Sequence, residues 1–253
     1  LQNVVDQINI TLDECLSIHL HTPPPHWRPL SAPNGPPPQP IAPTPKPFSL
    51  LQRVLGRRAR IEAENRAAAA EHHQAMAEWR QEVANIAALR AEVAELNAGV
   101  SRGSLEACQR MLDIRLGQIA WAKETNVSYD LGDNVTTLAI DVDLPTLQEL
   151  PSTTAAMPSR GLNLKMSKRS EAQLRKDLVY IAHASIFRVA GEAFAALPML
   201  ETVLVSGYTQ RPNAATGHVG DAYIISTQIN RSDWEAIDFA SLGAVAQKRR
   251  HSR

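Results

Sequence analysis

An α+β fold is predicted: helices layered on a mixed sheet of about five strands, with two main helices and an N-terminal helical arm. The prediction depends on two observations. Ser170 to Gln173 has the form of a capping box, and a long apolar run follows it, which indicates a core helix. Strand-like segments lie on both sides of this helix, and the stretch Leu51 to Ala98 has helical periodicity without proline.

The core helix is apolar on most of its circumference and should be buried on several sides, ending at Pro198. Three polar residues interrupt it, His183, Arg188 and Glu192. Arg188 and Glu192 are four residues apart and can pair along the helix. They are either paired or lining a cleft, so both are candidate binding residues, and His183 is a candidate acid or base. A lone histidine on an apolar helix is, however, more often structural.

Two strands follow the core helix, at 201–206 and 222–229, and the polar connection between them contains loop-forming residues. Tyr208, Arg211 and Asp221 lie in this connection, and we take them as candidate binding residues because long loops often carry function. A disordered hairpin tip is the equal alternative.

Upstream of the core helix, the segments 126–131 and 135–144 predict a hairpin around Gly132-Asp-Asn134. Gly161 to Met166 alternates and predicts a third strand. Ser104 can cap a helix that reaches Trp121, and Ser232 a short helix near the end.

The N-terminal part predicts a short helix that opens at Thr11 and ends before Pro23. From Pro23 to Pro47 the chain carries twelve of its seventeen prolines, which predicts a polyproline II spacer. Its PxxP matches could instead dock in an aromatic groove.

The arm contains apolar residues at steps of three and four, a heptad-like stripe that predicts a coiled-coil partner or a contact with the body. The stripe comprises Trp79, Val83, Ile86, Leu89, Val93, Leu96 and Val100. A basic cluster at Arg53, Arg57, Arg58 and Arg60 precedes it, and the nearby acids Glu62 and Glu64 favour an ordinary solvated face.

The predicted organisation has five parts. They are a short helix (1–22), a Pro-rich tether (23–49), a long helical arm (50–100), an α/β body (104–245) and a basic tail (246–253).

The charge balance and the cysteine content indicate which kinds of partner and which cellular compartment to expect. Lys and Arg together number 26, as do Asp and Glu, so bulk charge does not favour nucleic acid or a membrane as partner. The sequence contains no run of about twenty apolar residues, which is the length that a membrane-spanning helix needs. Cys15 and Cys108 match no metal pattern and suit a reducing compartment, which predicts a cytoplasmic protein.

Asp141 and Asp143 are the strongest candidates for catalytic or metal-binding residues. Residues two apart on a strand project to the same face, so both carboxylates could bind one Mg²⁺ or Mn²⁺ ion. The element order resembles the restriction-endonuclease-like nuclease core, whose motif adds Glu-x-Lys on a neighbouring strand. That tripeptide is missing here, and the candidate helpers are Glu106, Glu124 and Lys165. No other catalytic signature is present, and no cofactor is evident outside this alternative.

Several motifs resemble the C-terminal region of an uncharacterised bacterial family whose full-length members begin with a small glycine-containing β domain of unknown function. They are Glu124-Thr-Asn-Val-Ser, Asp141-Val-Asp-Leu-Pro145, Phe187-Arg-Val-Ala-Gly-Glu192, Ala196-Leu-Pro198, Ser206-Gly-Tyr-Thr-Gln-Arg211 and Thr216-Gly217. The resemblance extends to the Pro-rich segment and to the arm near Arg57 to Asn65, and it departs from about Ala246. It implies a bacterial, cytoplasmic protein that lacks the opening domain, and it implies no activity.

The sequence therefore predicts a non-enzymatic interaction or assembly module, with a protein partner or self-association through the helical arm. The alternative is a divalent-metal nuclease or phosphodiesterase that uses Asp141 and Asp143. A small-molecule site lined by His183, Arg188, Glu192 and Arg211 is the third hypothesis.

Overall fold

The protein is an α+β protein, as predicted. The computed structural model describes residues 2–47, 58–157, 164–212, 219–239 and 241. Within these residues the helices are α1 (Gln2–Ser17), α2 (Arg58–Ser101), α3 (Leu105–Gly117), α4 (Glu171–Ala196) and α5 (Arg231–Glu235). Two short 3-10 helices occupy Ile18–His21 and Leu147–Glu149.

The strands form two separate sheets. They are β1 (Val127–Leu131), β2 (Thr137–Asp143), β3 (Thr153–Ala156), β4 (Lys165–Lys168), β5 (Thr202–Pro212) and β6 (Val219–Asn230). The main sheet has the order β1-β2-β5-β6; β2 and β5 are parallel, and the other two pairs are antiparallel. The helix α4 supplies the crossover that a parallel β2–β5 pair requires. The strands β3 and β4 form a two-stranded antiparallel sheet.

The core lies between α4 and one face of the main sheet. Both predicted N-caps form: the Ser170 hydroxyl accepts from the Gln173 amide at the start of α4 in a capping box, and the Ser104 side chain accepts from the Ala107 amide at the start of α3. Val189, Ala193 and Phe194 of α4 are fully buried. On the strands the buried residues alternate, which identifies the face that packs against α4. This face carries Leu138, Ile140, Val142, Val203 and Val205.

Several predicted boundaries are wrong. The helix α1 extends back to Gln2, so Thr11 lies inside it and caps nothing. The connection expected at 207–221 is largely strand, since β5 and β6 pair as far as Pro212 and Val219. The main sheet has four strands rather than about five, because the predicted strand near Met166 pairs with the unpredicted β3 instead. Residues 161–163 of that prediction, with Arg53, Arg57 and the basic tail, lie outside the described residues.

The side chain of Asn9 pairs with the extended backbone of β3. Asn9 of α1 donates its amide to the Ala155 carbonyl (2.9 Å) and accepts from the Ala155 amide (3.0 Å). The side chain thus provides the two hydrogen bonds that a neighbouring strand would provide, which attaches β3 to α1.

The chain divides into two compact units. One comprises residues 1–29 and 98–253, and the other comprises Leu30 to Asn97. The second unit contains both the Pro-rich segment and the arm. The sequence predicted these as two separate parts, a spacer and a helix. The Pro-rich segment lies antiparallel along α2, and its carbonyl groups accept hydrogen bonds from α2 side chains. They include Pro33 from Arg90, Pro37 from Trp79 (2.8 Å) and Lys46 from Asn65.

Both ends of this contact are fixed by asparagines. Asn97 binds the amide and the carbonyl of Leu30, and Asn65 does the same at Lys46. The α2 stretch between the two asparagines is about 48 Å long at 1.5 Å per residue. Spread over the residues from Leu30 to Lys46, this length gives about 3 Å per residue, the rise of polyproline II. Trp79 of the heptad-like stripe therefore contacts the chain's own Pro-rich segment, whereas Leu89 of the stripe is 50% exposed.

The hydrogen bond from Trp79 to Pro37 predicts a local effect. Trp79→Phe keeps the ring and removes the Nε1 donor, so we expect the Pro-rich segment to detach more often, at a cost of about 1 kcal/mol. Hydrogen exchange at the Lys46 amide, which donates to Asn65, should accelerate about fivefold. The exposed neighbour Arg80→Gln is the matched control, and equal exchange in the two variants would contradict the prediction.

Arg231, the first residue of α5, binds the carbonyl groups at the carboxyl end of α4. Its guanidinium donates to the carbonyls of Leu197 (2.6 Å), Leu200 (2.6 Å) and Phe194 (3.3 Å), and it lies over the Phe194 ring at 5.0 Å. Two of these carbonyls lie just past the end of the helix and the third in its last turn, where groups lack helical partners and a cation is favoured by the helix dipole.

Candidate functional site

One face of the main sheet is the candidate site, and it is the face opposite α4. We call this surface the open face, and define it by the outward residues of the four strands. On β1 and β2 it carries Ser128, Asp130, Thr137, Ala139, Asp141 and Asp143. On β5 and β6 it carries Leu204, Ser206, Tyr208, Gln210, Ser226, Tyr223 and Asp221. Of these, Leu204 is 42% exposed and Tyr223 is 59% exposed.

A β-bulge determines which residues of β6 reach the open face. Ser206 pairs with Ser226, and Tyr208 pairs with Tyr223, so Ile224 has no partner on β5. Simple alternation from Ser226 would turn Tyr223 and Asp221 toward α4. The extra residue reverses the alternation and places both on the open face, as bulges near functional sites commonly do.

The bulge brings two tyrosines and three carboxylates together. The rings of Tyr208 and Tyr223 are 5.7 Å apart between centroids, and the Tyr223 hydroxyl donates to Asp141 Oδ2 (3.2 Å). Asp143 is the register partner of Tyr208 on the neighbouring strand. We call Asp141, Asp143, Tyr208, Tyr223 and Asp221 the acidic tyrosine cluster.

The carboxyl group of Asp143 lies close to other negative charges. Burial raises the pKa of Asp143, and the negative charges of Glu149 and Asp221 raise it further. Burial also raises the pKa of Tyr208, with Asp143 and Asp221 contributing. A cation placed here would relieve this repulsion.

Some of the candidate site residues predicted from the sequence lie in this cluster, and the others lie elsewhere in the structure. Asp141, Asp143, Tyr208 and Asp221 come together, and the strand that holds Arg211 continues from Tyr208. Sequence reasoning missed Tyr223 and Glu149. Only the alternating pattern of β6 pointed to Tyr223, and that pattern alone assigns it to the wrong face.

Arg188 and Glu192 do not reach the open face. They form the predicted pair, with Nη1 and Oε1 2.5 Å apart, and both side chains are about nine-tenths buried. Arg115 of α3 lies near them: burial lowers its pKa and the Glu192 charge opposes this. Arg115 also donates to the Arg28 and Pro29 carbonyls. This polar cluster is internal to the body.

His183 and the proposed nuclease helpers also lie elsewhere. His183 is exposed on α4, and its Nδ1 donates to the Val179 carbonyl (2.7 Å) of the same helix. Lys165 lies on β4, in the sheet that does not contain the aspartates. Glu106 is exposed in the first turn of α3, and Glu124 is exposed before β1. Among the described residues, no group of three or more His, Cys, Asp or Glu side chains is arranged to hold a metal ion.

The raised pKa of Asp143 predicts a pH-dependent stability change. Below the ordinary aspartate pKa of about 3.8 the carboxyl is neutral in the folded and unfolded states. As pH rises through 3.8 and then through the raised folded-state value, the wild type loses stability relative to Asp143→Asn. We expect Asp143→Asn to raise Tm by about 1–2 °C at pH 7 and not at pH 3. Calorimetry with Asp130→Asn, an exposed position on the same face, is the control, and a Tm below that of wild type at pH 7 would contradict the prediction.

Comparison of the chain with protein-family models, with curated proteins and with solved structures finds no match. Among the described residues α4 alone has the length and apolar character of a membrane span. Of its most apolar window, 72% is buried in the body, as expected of a core helix.

Proposed function

We propose that this chain is a non-enzymatic interaction module that binds a cationic protein segment on the acidic tyrosine cluster. The observation that carries the proposal is the bulge at Ile224, which places Tyr223 and Asp221 beside Asp141 and Asp143 on the open face. Carboxylates attract Lys and Arg side chains, and the exposed ring of Tyr223 can bind them through a cation–π contact, whereas Tyr208 is buried beneath it. We also propose a cytoplasmic location, in keeping with the free and buried Cys15 and Cys108.

The test is a calorimetric titration with an Arg- and Lys-rich decapeptide at about 20 mM salt, where screening is weak. Replacing Asp141, Asp143 and Asp221 together by Asn should weaken binding at least tenfold. Asp130→Asn is the matched control, because it removes a charge from the same face outside the cluster, and it should change Kd less than threefold. Absence of binding to the wild type, or equal binding by the triple variant, would overturn the proposal.

The alternative function, a divalent-metal nuclease or phosphodiesterase, is favoured by the crowding of carboxylates around Asp143. A Mg²⁺ or Mn²⁺ ion bound to Asp141 and Asp143 would offset the burial and the negative charges of Glu149 and Asp221, which together raise the pKa of Asp143. Titration of Mn²⁺ into wild type and Asp141→Ala/Asp143→Ala distinguishes the two functions. Heat of binding that disappears in the double variant would support the metal site, and no heat in either would leave the interaction module.

We further propose that the arm contributes to assembly through the exposed part of its stripe. Trp79 of the stripe already binds the Pro-rich segment, while Leu89 of the same stripe remains 50% exposed. A partner helix would therefore contact α2 beside the Pro-rich segment. Leu89→Glu should lower arm-mediated association in light scattering, and Leu89→Met should preserve it.

A further inference from the structure

A cavity of about 320 Å³ lies between the last turn of α3 and the strand β1. Val127 and Tyr129 of β1 line it, and they alternate with Ser128 and Asp130 of the open face. The cavity and the acidic tyrosine cluster therefore lie on opposite sides of the sheet. Pockets that bind small molecules begin at about this volume, so the cavity is large enough for a compact ligand.

The carboxylate of Asp113 is the charged group of this cavity. Tyr129 donates its hydroxyl to Asp113 Oδ1 (2.6 Å), which fixes the position of the carboxylate. Burial raises the pKa of Tyr129, and the hydrogen bond to Asp113 and its negative charge raise it further, so the hydroxyl stays protonated. Within the described ranges Asp113 forms no ion pair, and the nearby Arg115 donates instead to the carbonyls of Arg28 and Pro29. A cation from outside the chain could therefore pair with this carboxylate.

The rest of the cavity also favours a cation. Leu116 and Gly117 are the last residues of α3, where the helix dipole is negative. Trp121 and Tyr129 supply two aromatic rings to the lining, and aromatic faces attract cations. Leu116 and Val127 add apolar surface next to these groups. A carboxylate, a helix carboxyl end and two aromatic rings therefore line the same space as apolar side chains.

We propose that this cavity binds a small organic ammonium ion, with the ammonium group on Asp113 and the carbon skeleton against Trp121 and Leu116. An inorganic cation would leave the apolar wall without a partner, and a neutral molecule would leave the carboxylate unpaired. The proposal goes beyond the peptide-binding function, because none of the residues that line the cavity belongs to the acidic tyrosine cluster.

The test is an NMR titration of the full chain with phenethylammonium at neutral pH, a probe that joins an ammonium group to one aromatic ring. The chain contains four tryptophans, and Trp121→Phe identifies the indole N–H signal of Trp121. We expect this signal to shift with a Kd of about 1 mM, which is usual for a ligand of this size. 2-Phenylethanol has a similar skeleton without the charge and should bind at least tenfold more weakly.

Two variants test the site by independent routes. Asp113→Asn keeps an acceptor for Tyr129 and removes the charge, so it should raise the Kd at least tenfold. Gly117→Leu should abolish the shift by filling the cavity, and the fold should tolerate it, because a Cβ at Gly117 meets no atom within 4 Å. Asp130→Asn, on the same strand as Tyr129 but on the opposite face, is the matched control and should leave the Kd within twofold.

Any of three results would overturn the proposal: a Trp121 signal that does not move at about 10 mM phenethylammonium, equal binding of 2-phenylethanol, or an unchanged Kd in Asp113→Asn. Tighter binding of Nα-acetyllysine amide than of phenethylammonium would also overturn it, and would assign the cavity to a lysine side chain of a partner protein. Replacing Asp141, Asp143 and Asp221 together by Asn removes the peptide site and should leave ammonium binding unchanged, so the two proposals can fail separately.

Discussion

Replacing Glu192 by Leu is expected to destabilise the body by about 3–5 kcal/mol. Glu192 neutralises Arg188 on α4 and lies near Arg115 on α3, and the Arg188–Glu192 pair is about nine-tenths buried. Removing one partner of a buried pair leaves the other charge without compensation, and this costs far more than an exposed helical pair contributes.

A double-mutant cycle measures this effect without assuming an energy for the pair. Arg188→Met alone should destabilise the fold, and Arg188→Met/Glu192→Leu should cost much less than the two single changes together, because it leaves no unpaired charge at this position. Urea unfolding gives the four free energies. Additive losses would show that Glu192 acts mainly through Arg115 or through packing.

Replacing Arg231 by Met is expected to cost about 2–4 kcal/mol of stability. The guanidinium donates to three carbonyls around the end of α4 and lies on the Phe194 ring, and methionine fills the space without donating. Each charge-assisted bond contributes about 1.5–3 kcal/mol, and carbonyl groups left unpaired near the core add to the loss.

Two further substitutions separate the carbonyl contacts from the ion pair. Glu235→Ala removes the partner of Arg231 at 3.5 Å, and since Glu235 is about half exposed the change should cost less than about 1 kcal/mol. Arg231→Lys keeps the charge but cannot reach all three carbonyls, so its loss should be intermediate. A Glu235→Ala loss as large as that of Arg231→Met would assign the stability to the ion pair instead.

The sequence predicted those elements whose signals are local. The capping residues Ser104 and Ser170 mark the starts of α3 and α4, and hydrogen bonds within one turn suffice to form both caps. The hairpin β1–β2 follows from Gly132 to Asn134 in the same way. In contrast, Thr11 has a capping pattern yet lies within α1, because the helical residues before it continue the helix.

The candidate site was predictable only in part, because its residues meet through long-range pairing. Asp141 and Asp143 share a face by simple strand alternation, which the sequence shows. Tyr223 and Asp221 join them because Ile224 bulges, and no local pattern marks that residue. The Pro-rich segment is similar: its composition predicts an extended chain, but the contact with α2 depends on single partners such as Trp79 and Asn65.

The Leu30–Asn97 unit places a constraint on how its length can change. One turn of polyproline II advances about 9 Å in three residues, and two turns of α-helix advance about 11 Å in seven. An insertion in the Pro-rich segment alone would move Leu30 or Lys46 away from its asparagine partner. Variants of this chain that lengthen or shorten the unit should therefore carry paired insertions or deletions, about three residues in the Pro-rich segment and about seven in the helix, so that both ends of the contact keep their asparagine partners.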